Sequence, residues 1–271
     1  GFELSVNYQN NVKSGYFTGL NYSAGFNIDH YKNKLVKFGA KQISGYNLRQ
    51  EGEEWDAFYM IEQIGIFQST QEIASSPKQY NDATVPGDLK FRDANGDGKI
   101  NDDDRVIIKG RYPALNYSFN LSANWKGFDL SAQFQGVYKV KYYVDGWGTI
   151  PFVQGTPPTT NWRNRWTETN PSTTMPRIYW GWGAPQSISR TSSWYLQNGS
   201  YMRLKNLTFG YTLPKKTTQQ IGLDQIRIYF SGDNLVTFTK YPGLDPERGG
   251  SGSAVNYPQN KIFSFGVNVK F

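Results

Sequence analysis

Cysteine is absent from the 271 residues, and histidine occurs once, as His30. The first absence excludes disulfides, thiolate metal sites and cysteine nucleophiles. The second leaves almost no material for histidine-based zinc centres or Ser-His-Asp triads. Long apolar runs are missing too, and none approaches the roughly 20 residues of a membrane helix. The opening GFELSVNYQN has neither the charged start nor the apolar stretch of a signal peptide. Clustered positive charge is also lacking. The formal net charge is +7, yet Lys and Arg are scattered, with nothing longer than the Lys215-Lys216 pair. No nucleic-acid partner is therefore expected. Aromatics are in excess, at 16% of residues. Mean hydropathy is low, at −0.62, but transmembrane strands alternate apolar and polar residues, so a low mean does not exclude a membrane.

Period-two alternation dominates the chain. In FELSVNYQ, Phe2, Leu4, Val6 and Tyr8 are apolar and the residues between them polar. A turn near Asn11 to Gly15 precedes Leu20, Tyr22, Ala24, Phe26 and Ile28. Leu115 to Trp125 and Phe128 to Tyr138 repeat the pattern around a tight Lys126-Gly127 reversal, which predicts a long β-hairpin. Further strands are expected over Tyr201 to Leu213, Gln225 to Leu235 and Phe263 to Phe271. Within Tyr201 to Leu213 the apolar parity flips between Leu204 and Leu207, which predicts a bulge. Strands of about ten residues with Asn, Ser, Gly, Gln and Thr on one face and aromatics near their ends suit a bilayer.

Short turns alternate with long connections, over 29–114, 144–200 and Val236 to Asn260. Barrels of the outer membrane keep short turns on the periplasmic side and long loops outside. About seven spanning strands follow, with Phe271 periplasmic and Gly1 outside. Complete bacterial barrels have even strand numbers, so residues 1–271 read as the C-terminal segment of a larger one. The expected fold is all-β, part of a large antiparallel transmembrane β-barrel with long extracellular loops. DAFYMIEQIGIF, Asp56 to Phe67, is expected to form a strand or hairpin inside the first outer loop.

FRDANGDGKINDDDR, Phe91 to Arg105, holds five aspartates. Numbered from Asp93, positions 1, 3, 5, 9 and 12 are Asp93, Asn95, Asp97, Asn101 and Asp104. Gly98 takes the sharp-turn position and Lys99 offers a carbonyl. These are the oxygen positions of a twelve-residue calcium loop, here 93–104. Hard oxygen donors without histidine favour Ca²⁺, and the expected role is structural. Position 12 is Asp rather than Glu, and the flanks LKF and RVII read as strands, so no EF-hand surrounds the loop. The alternative is a solvated Asn/Gly/Asp turn cluster.

The connection 144–200 carries Trp147, Trp162, Trp166, Trp180, Trp182 and Trp194. Exposed aromatic faces stack on sugars or grip partner proteins; the alternative is that they pack the loop. Arg163, Arg165 and Glu168 stand ready to orient a polar ligand or to be solvated.

Four blocks have a common look: PGDLKFRDANGDGKINDDDRVIIKG, NGSYMRLKNLTFGYTLPKK, IRIYFSGDNLVTFTKYPGLDPE and the ending FSFGVNVKF. They resemble the C-terminal region of SusC/RagA-type TonB-dependent transporters, outer-membrane importers of the Bacteroidetes. The resemblance implies a plugged barrel of about 22 strands. It implies a SusD-like lipoprotein lid, energy from TonB, and import of oligosaccharides or peptides. TonB engages such proteins through an N-terminal part with no counterpart in these residues. The terminal strand 261–271 would end on Phe271 as the barrel-assembly signal, and the wall would face outer-membrane lipid. Two other classes compete. One is a soluble calcium-stabilised carbohydrate-binding β-domain built from the same loops. The other is a glycoside hydrolase, for which Glu51, Glu53, Glu54, Asp56 and Glu62 supply carboxylates without fixing their geometry; no catalysis is expected.

Overall fold

Alternation becomes a single sheet of seven antiparallel strands. A computed structural model describes residues 1–80, 83–146, 149–180, 186–253 and 257–271. The wall strands are Phe2–Asn11, Asn21–His30, Leu115–Trp125, Phe128–Tyr138, Tyr201–Thr212, Gln225–Thr239 and Ile262–Lys270. Each pairs with the next in chain order, so the topology is a simple meander.

Register sorts the side chains by face. Val6, Phe26, Phe119, Phe134, Leu204 and Val236 form one cross-strand row. Three residues away along the second to fourth strands, and so on the opposite face, Ser23, Ser122, Ser131, Thr208, Ser231 and Ser264 form another. Successive residues point to opposite faces, so one face is greasy and the other hydroxyl- and amide-lined. The polar face is stitched across strands. The Ser23 and Ser122 hydroxyls lie 2.8 Å apart, and the Asn27 amide donates to the Ser118 hydroxyl at 3.2 Å. Arg227 donates to both Asp129 oxygens, at 2.9 and 2.6 Å. It reaches past the intervening strand at Gly210, where a Cβ would lie 2.7 Å from its guanidinium. The apolar face has no second sheet on it among the described residues. Phe2, Leu4, Val6, Phe263, Phe265 and Val267 are all at least half exposed there.

The parity flip is a bulge at Lys205. Gln133 faces Asn206 while Phe134 faces Leu204, so Lys205 is the extra residue. The opposite strand breaks register in the same place, where Asn234 has φ of 54°. The fourth strand stops at Tyr138 as expected, where Lys139 turns left-handed at φ 56° and Val140 is buried in the loop body. One boundary differs from expectation. The sixth strand, expected to end at Leu235, continues to Thr239, paired with Tyr201, and keeps the alternation with Val236 and Phe238 on the apolar face.

Gly136 is a tight point in the wall. A Cβ there would meet the Tyr201 carbonyl at 2.4 Å and the Tyr117 ring at 2.5 Å. The Tyr117 hydroxyl donates to that same carbonyl at 3.1 Å. Overpacking costs about 1–3 kcal/mol, so Gly136→Ala is expected to lower the melting temperature of the purified protein, whereas Tyr117→Phe will cost about 1 kcal/mol. A melting temperature unchanged by the alanine would refute the close approach.

The hydrophobic cores lie in the connections. Phe58, Met60, Tyr143, Ile150, Val153 and Tyr195 form one buried cluster; Ile61, Ile66, Leu89, Phe91, Ile100 and Trp166 form a second. Both mix residues of 31–114 with residues of 139–200. The expected hairpin region is two strands, Ala57–Ile61 and Gln63–Ile66. The first pairs with Asn47–Arg49 and Arg105–Ile108, the second with Leu89–Phe91, and neither joins the wall. The third connection is tied in by Gly252–Ser253, parallel to Val144–Asp145.

Candidate functional site

All three long connections emerge at one end of the sheet and fuse into a single loop body. Hydrogen bonds weld it: Gln63 donates its N–H to the Ser193 hydroxyl at 2.8 Å, and Arg177 N–H donates to the Gly87 carbonyl at 2.8 Å. Arg190 pairs with Asp102 and lies 3.8 Å over the Tyr80 ring.

The aspartate loop is held by its own amides. Asp93 accepts N–H bonds from Gly96 and Gly98, at 2.6 and 2.8 Å. Asn95 accepts from Asp97, Asp97 from Lys99, and Asn101 from Asp103. Asp104 is fully buried and takes Ala94 N–H on one oxygen and Asn101 N–H on the other, both at 2.8 Å. Gly96 and Gly98 adopt φ of 78° and 83°, which side chains resist. Ile100 drops into the second core, and its N–H donates to the Lys78 carbonyl at 2.8 Å. The Gly98 N–H, against a smaller opposing effect of desolvation, holds the Asp93 carboxyl below the usual range; Gly96, Asp97 and the adjoining Asp104 add to it.

These residues fit a calcium ion in donor type and order: three carboxylates, two amide oxygens and the Lys99 carbonyl. The carboxylates themselves are turned toward amides. Among the described residues no three His, Cys, Asp or Glu side chains converge as a ready metal group.

The tryptophans divide. Trp162 is buried, its indole N–H donating to the Thr149 carbonyl at 3.1 Å. Trp166 is buried in the second core, bonded to Gln68 Oε1 at 3.1 Å. Its ring fits only because Gly87 has no Cβ, which would stand 2.5 Å away. Trp194 is half-buried beside Trp162 and Tyr195. Trp180 is 74% exposed and stacks on Phe152 at 4.8 Å. Trp147 and Trp182 lie outside the described residues. Arg163 and Glu168 are exposed, and Arg165 bonds the Trp162 carbonyl at 3.5 Å. Phe271 ends the chain just beyond the last wall strand, 88% exposed.

The acidic cluster is occupied with local structure. Glu51 accepts from Phe38 and Gly39, and Glu54 from Gly110 and Arg111. Glu53 pairs with Lys109, Asp56 with Arg49 and Glu62 with Arg92.

One group escaped the sequence reading. Arg203, on the polar face of the wall, is buried against Asp245 and Glu247 of the third connection, each at 2.9 Å. Lys205 and the Tyr201 hydroxyl also bond Glu247, at 3.0 Å. The signal was an arginine in a row of otherwise uncharged polar residues, with the acidic pair of YPGLDPE later in the chain.

No protein-family model matches the chain. Among curated proteins it is similar to TonB-dependent receptor P3 of Formosa agariphila, 33% identical over 296 residues, covering all of this chain and 28% of the relative. It is also similar to TonB-dependent receptor SusC of Bacteroides thetaiotaomicron, 23% identical over 285 residues, covering all of this chain and 26% of the relative. Among solved structures it matches the RagAB peptide transporter, with a TM-score of 0.74 and 25% identity, over 99% of this chain and 29% of that one. The chain thus spans less than a third of the length of each of these relatives.

Proposed function

Because the chain belongs to the SusC/RagA-type TonB-dependent receptors, which are outer-membrane proteins, we propose that it supplies barrel wall and outer loops to a nutrient importer. The observation that carries this reading is the two-faced wall. Its apolar side chains are uncovered on one face, while Ser, Asn, Gln and Thr are stitched together on the other. Lipid covers the first kind of face in a barrel, and a hydrated or plugged lumen the second. A soluble carbohydrate-binding domain would need its apolar face packed against another sheet.

In the complete protein, a SusD-like lipoprotein would close over the loop body and TonB would supply energy through a part beyond these residues. The cargo is an oligosaccharide or a peptide; the structural relatives are described as peptide transporters. Among the described tryptophans of 144–200, Trp180 is the one that offers an exposed face to cargo or lid. The loop 93–104 binds a structural Ca²⁺ through Asp93, Asn95, Asp97, the Lys99 carbonyl, Asn101 and Asp104, which ties the first connection into one shape. Phe271 serves as the recognition residue for barrel assembly.

Gene disruption tests the reading. A strain lacking the protein is expected to lose growth on one oligosaccharide or peptide pool and to keep growth on the corresponding monomers. Loss of TonB in the parent strain should reproduce the defect. Unchanged growth on every polymeric source would count against import.

A further inference from the structure

Two hollows meet at the outer rim of the wall, and they differ in character. The upper one is a cavity of about 920 Å³ between the ends of the second to fifth wall strands and the loop body. Lys32, Lys34, Lys109, Lys139 and Lys141 line it. The lower one, about 710 Å³, runs down the apolar face past Tyr138, Tyr117, Met202 and Phe238, with Lys240 at its top. They share Tyr138, Asn198 and Ser200, so they form one continuous groove.

The charge in the upper hollow is largely unbalanced. Lys109 pairs with Glu53 at 3.3 Å. The one carboxylate in the lining, Glu54, is taken by the Gly110 and Arg111 amides. None of the ion pairs among the described residues involves Lys32, Lys34, Lys139 or Lys141. The backbone that presents two of them is fixed. Lys139 N–H donates to Ser200 Oγ at 3.0 Å, and Lys141 N–H to the Gly110 carbonyl at 2.7 Å. Lys139 lies over the Tyr138 ring, with its ammonium 5.6 Å from the centroid. Four like charges held around a hollow repel one another unless an anion is shared among them.

We propose that this groove binds a phosphate-bearing glycolipid of the outer leaflet, with its phosphate among Lys32, Lys34, Lys139 and Lys141 and an acyl chain along Tyr117, Met202 and Phe238. The proposal rests on the reading of the apolar face as the lipid face. A free anion satisfies the lysines but leaves the lower hollow without an occupant. An amphiphile fills both, and basic residues beside a membrane surface each strengthen attraction to anionic lipid.

The test uses the full-length protein in a neutral detergent, titrated with monophosphoryl lipid A and with its dephosphorylated form, bound lipid being read by native mass spectrometry. Replacing Lys139 and Lys141 together by alanine is expected to weaken the phosphorylated lipid about twentyfold, and Lys139→Arg with Lys141→Arg to keep it within about threefold. A second pair, Lys32→Glu and Lys34→Glu, sits on exposed chain and covers the case in which the alanine variant fails to fold. Removing the phosphate should cost at least as much as removing two of its four lysines. Inorganic phosphate at millimolar concentration should not compete. Equal binding of both lipids, or unchanged binding by both lysine pairs, would overturn the proposal; competition by inorganic phosphate would make it a free-anion site and overturn the lipid. Membrane fractionation separates the two readings. Absence from the outer membrane defeats the barrel, whereas an outer-membrane protein that ignores the phosphate defeats this inference alone.

Discussion

Arg203→Met is expected to cost about 3–5 kcal/mol and to release the third outer connection from the wall. Arg203 and Asp245 side chains are 3% and 2% exposed. The guanidinium satisfies three acceptors at once: Asp245 and Glu247 at 2.9 Å and the Thr237 hydroxyl at 2.8 Å. Removing it strands a buried carboxylate, and that desolvated charge is the larger part of the loss. Lysine will not rescue it, because a single ammonium cannot span the three positions of the planar fork. Replacing Arg203, Asp245 and Glu247 together by apolar residues should recover much of the loss, since no buried charge is then stranded and Lys205, which loses Glu247, is part-exposed and can reach water. Melting temperature and protease sensitivity within 240–261 are the readouts. A single substitution as mild as the triple one would refute the clamp.

The same clamp has a defined pH range. Burial works to raise the Asp245 carboxyl, but the Gln259 amide, the Arg203 guanidinium and the Glu247 amide outweigh it and hold it below the usual range. A depressed folded value means that its contribution is complete above the ordinary aspartate pKa of about 3.9. It is lost only as pH falls through the lower folded value. Protection of 240–261 should therefore persist in mild acid.

Asp104→Ala is the second large effect. It deprives the Ala94 and Asn101 amides of their acceptor inside a loop whose position 12 is fully buried. An orphaned buried donor costs about 1–3 kcal/mol, so a local loss of about 2–5 kcal/mol is expected, read as faster hydrogen exchange over 93–104. Asp104→Asn keeps one acceptor oxygen and surrenders the charge. It should preserve much of the exchange protection while calcium content, by mass analysis, falls. That split distinguishes a cation site from an amide-braced turn. Full calcium content in the asparagine variant would remove Asp104 from the ligand set.

The wall was legible because its information is local. Phe2, Leu4, Val6 and Tyr8 announce a face within eight residues, and Lys126-Gly127 announces its reversal. Even the bulge at Lys205 was visible, as a parity change between Leu204 and Leu207. The loop body was not, because its order is non-local. Nothing near Phe58 says that it will meet Tyr143 and Tyr195, and nothing near Trp166 says that Gly87 will make room for its ring. The end of the sixth strand was misplaced for the same reason: its run past Leu235 to Thr239 depends on pairing with Tyr201 across the sheet. In the aspartate loop the residue spacing was legible, but not the turning of its side chains toward amides, which depends on three-dimensional placement.

The stack of Trp180 on Phe152 has a mechanical side. Val153, the next residue, is wholly buried in the cluster that also holds Phe58 and Met60. Weight applied at the exposed indole is thus passed to a cluster built from both long connections, so a visitor that touches one leans on the other.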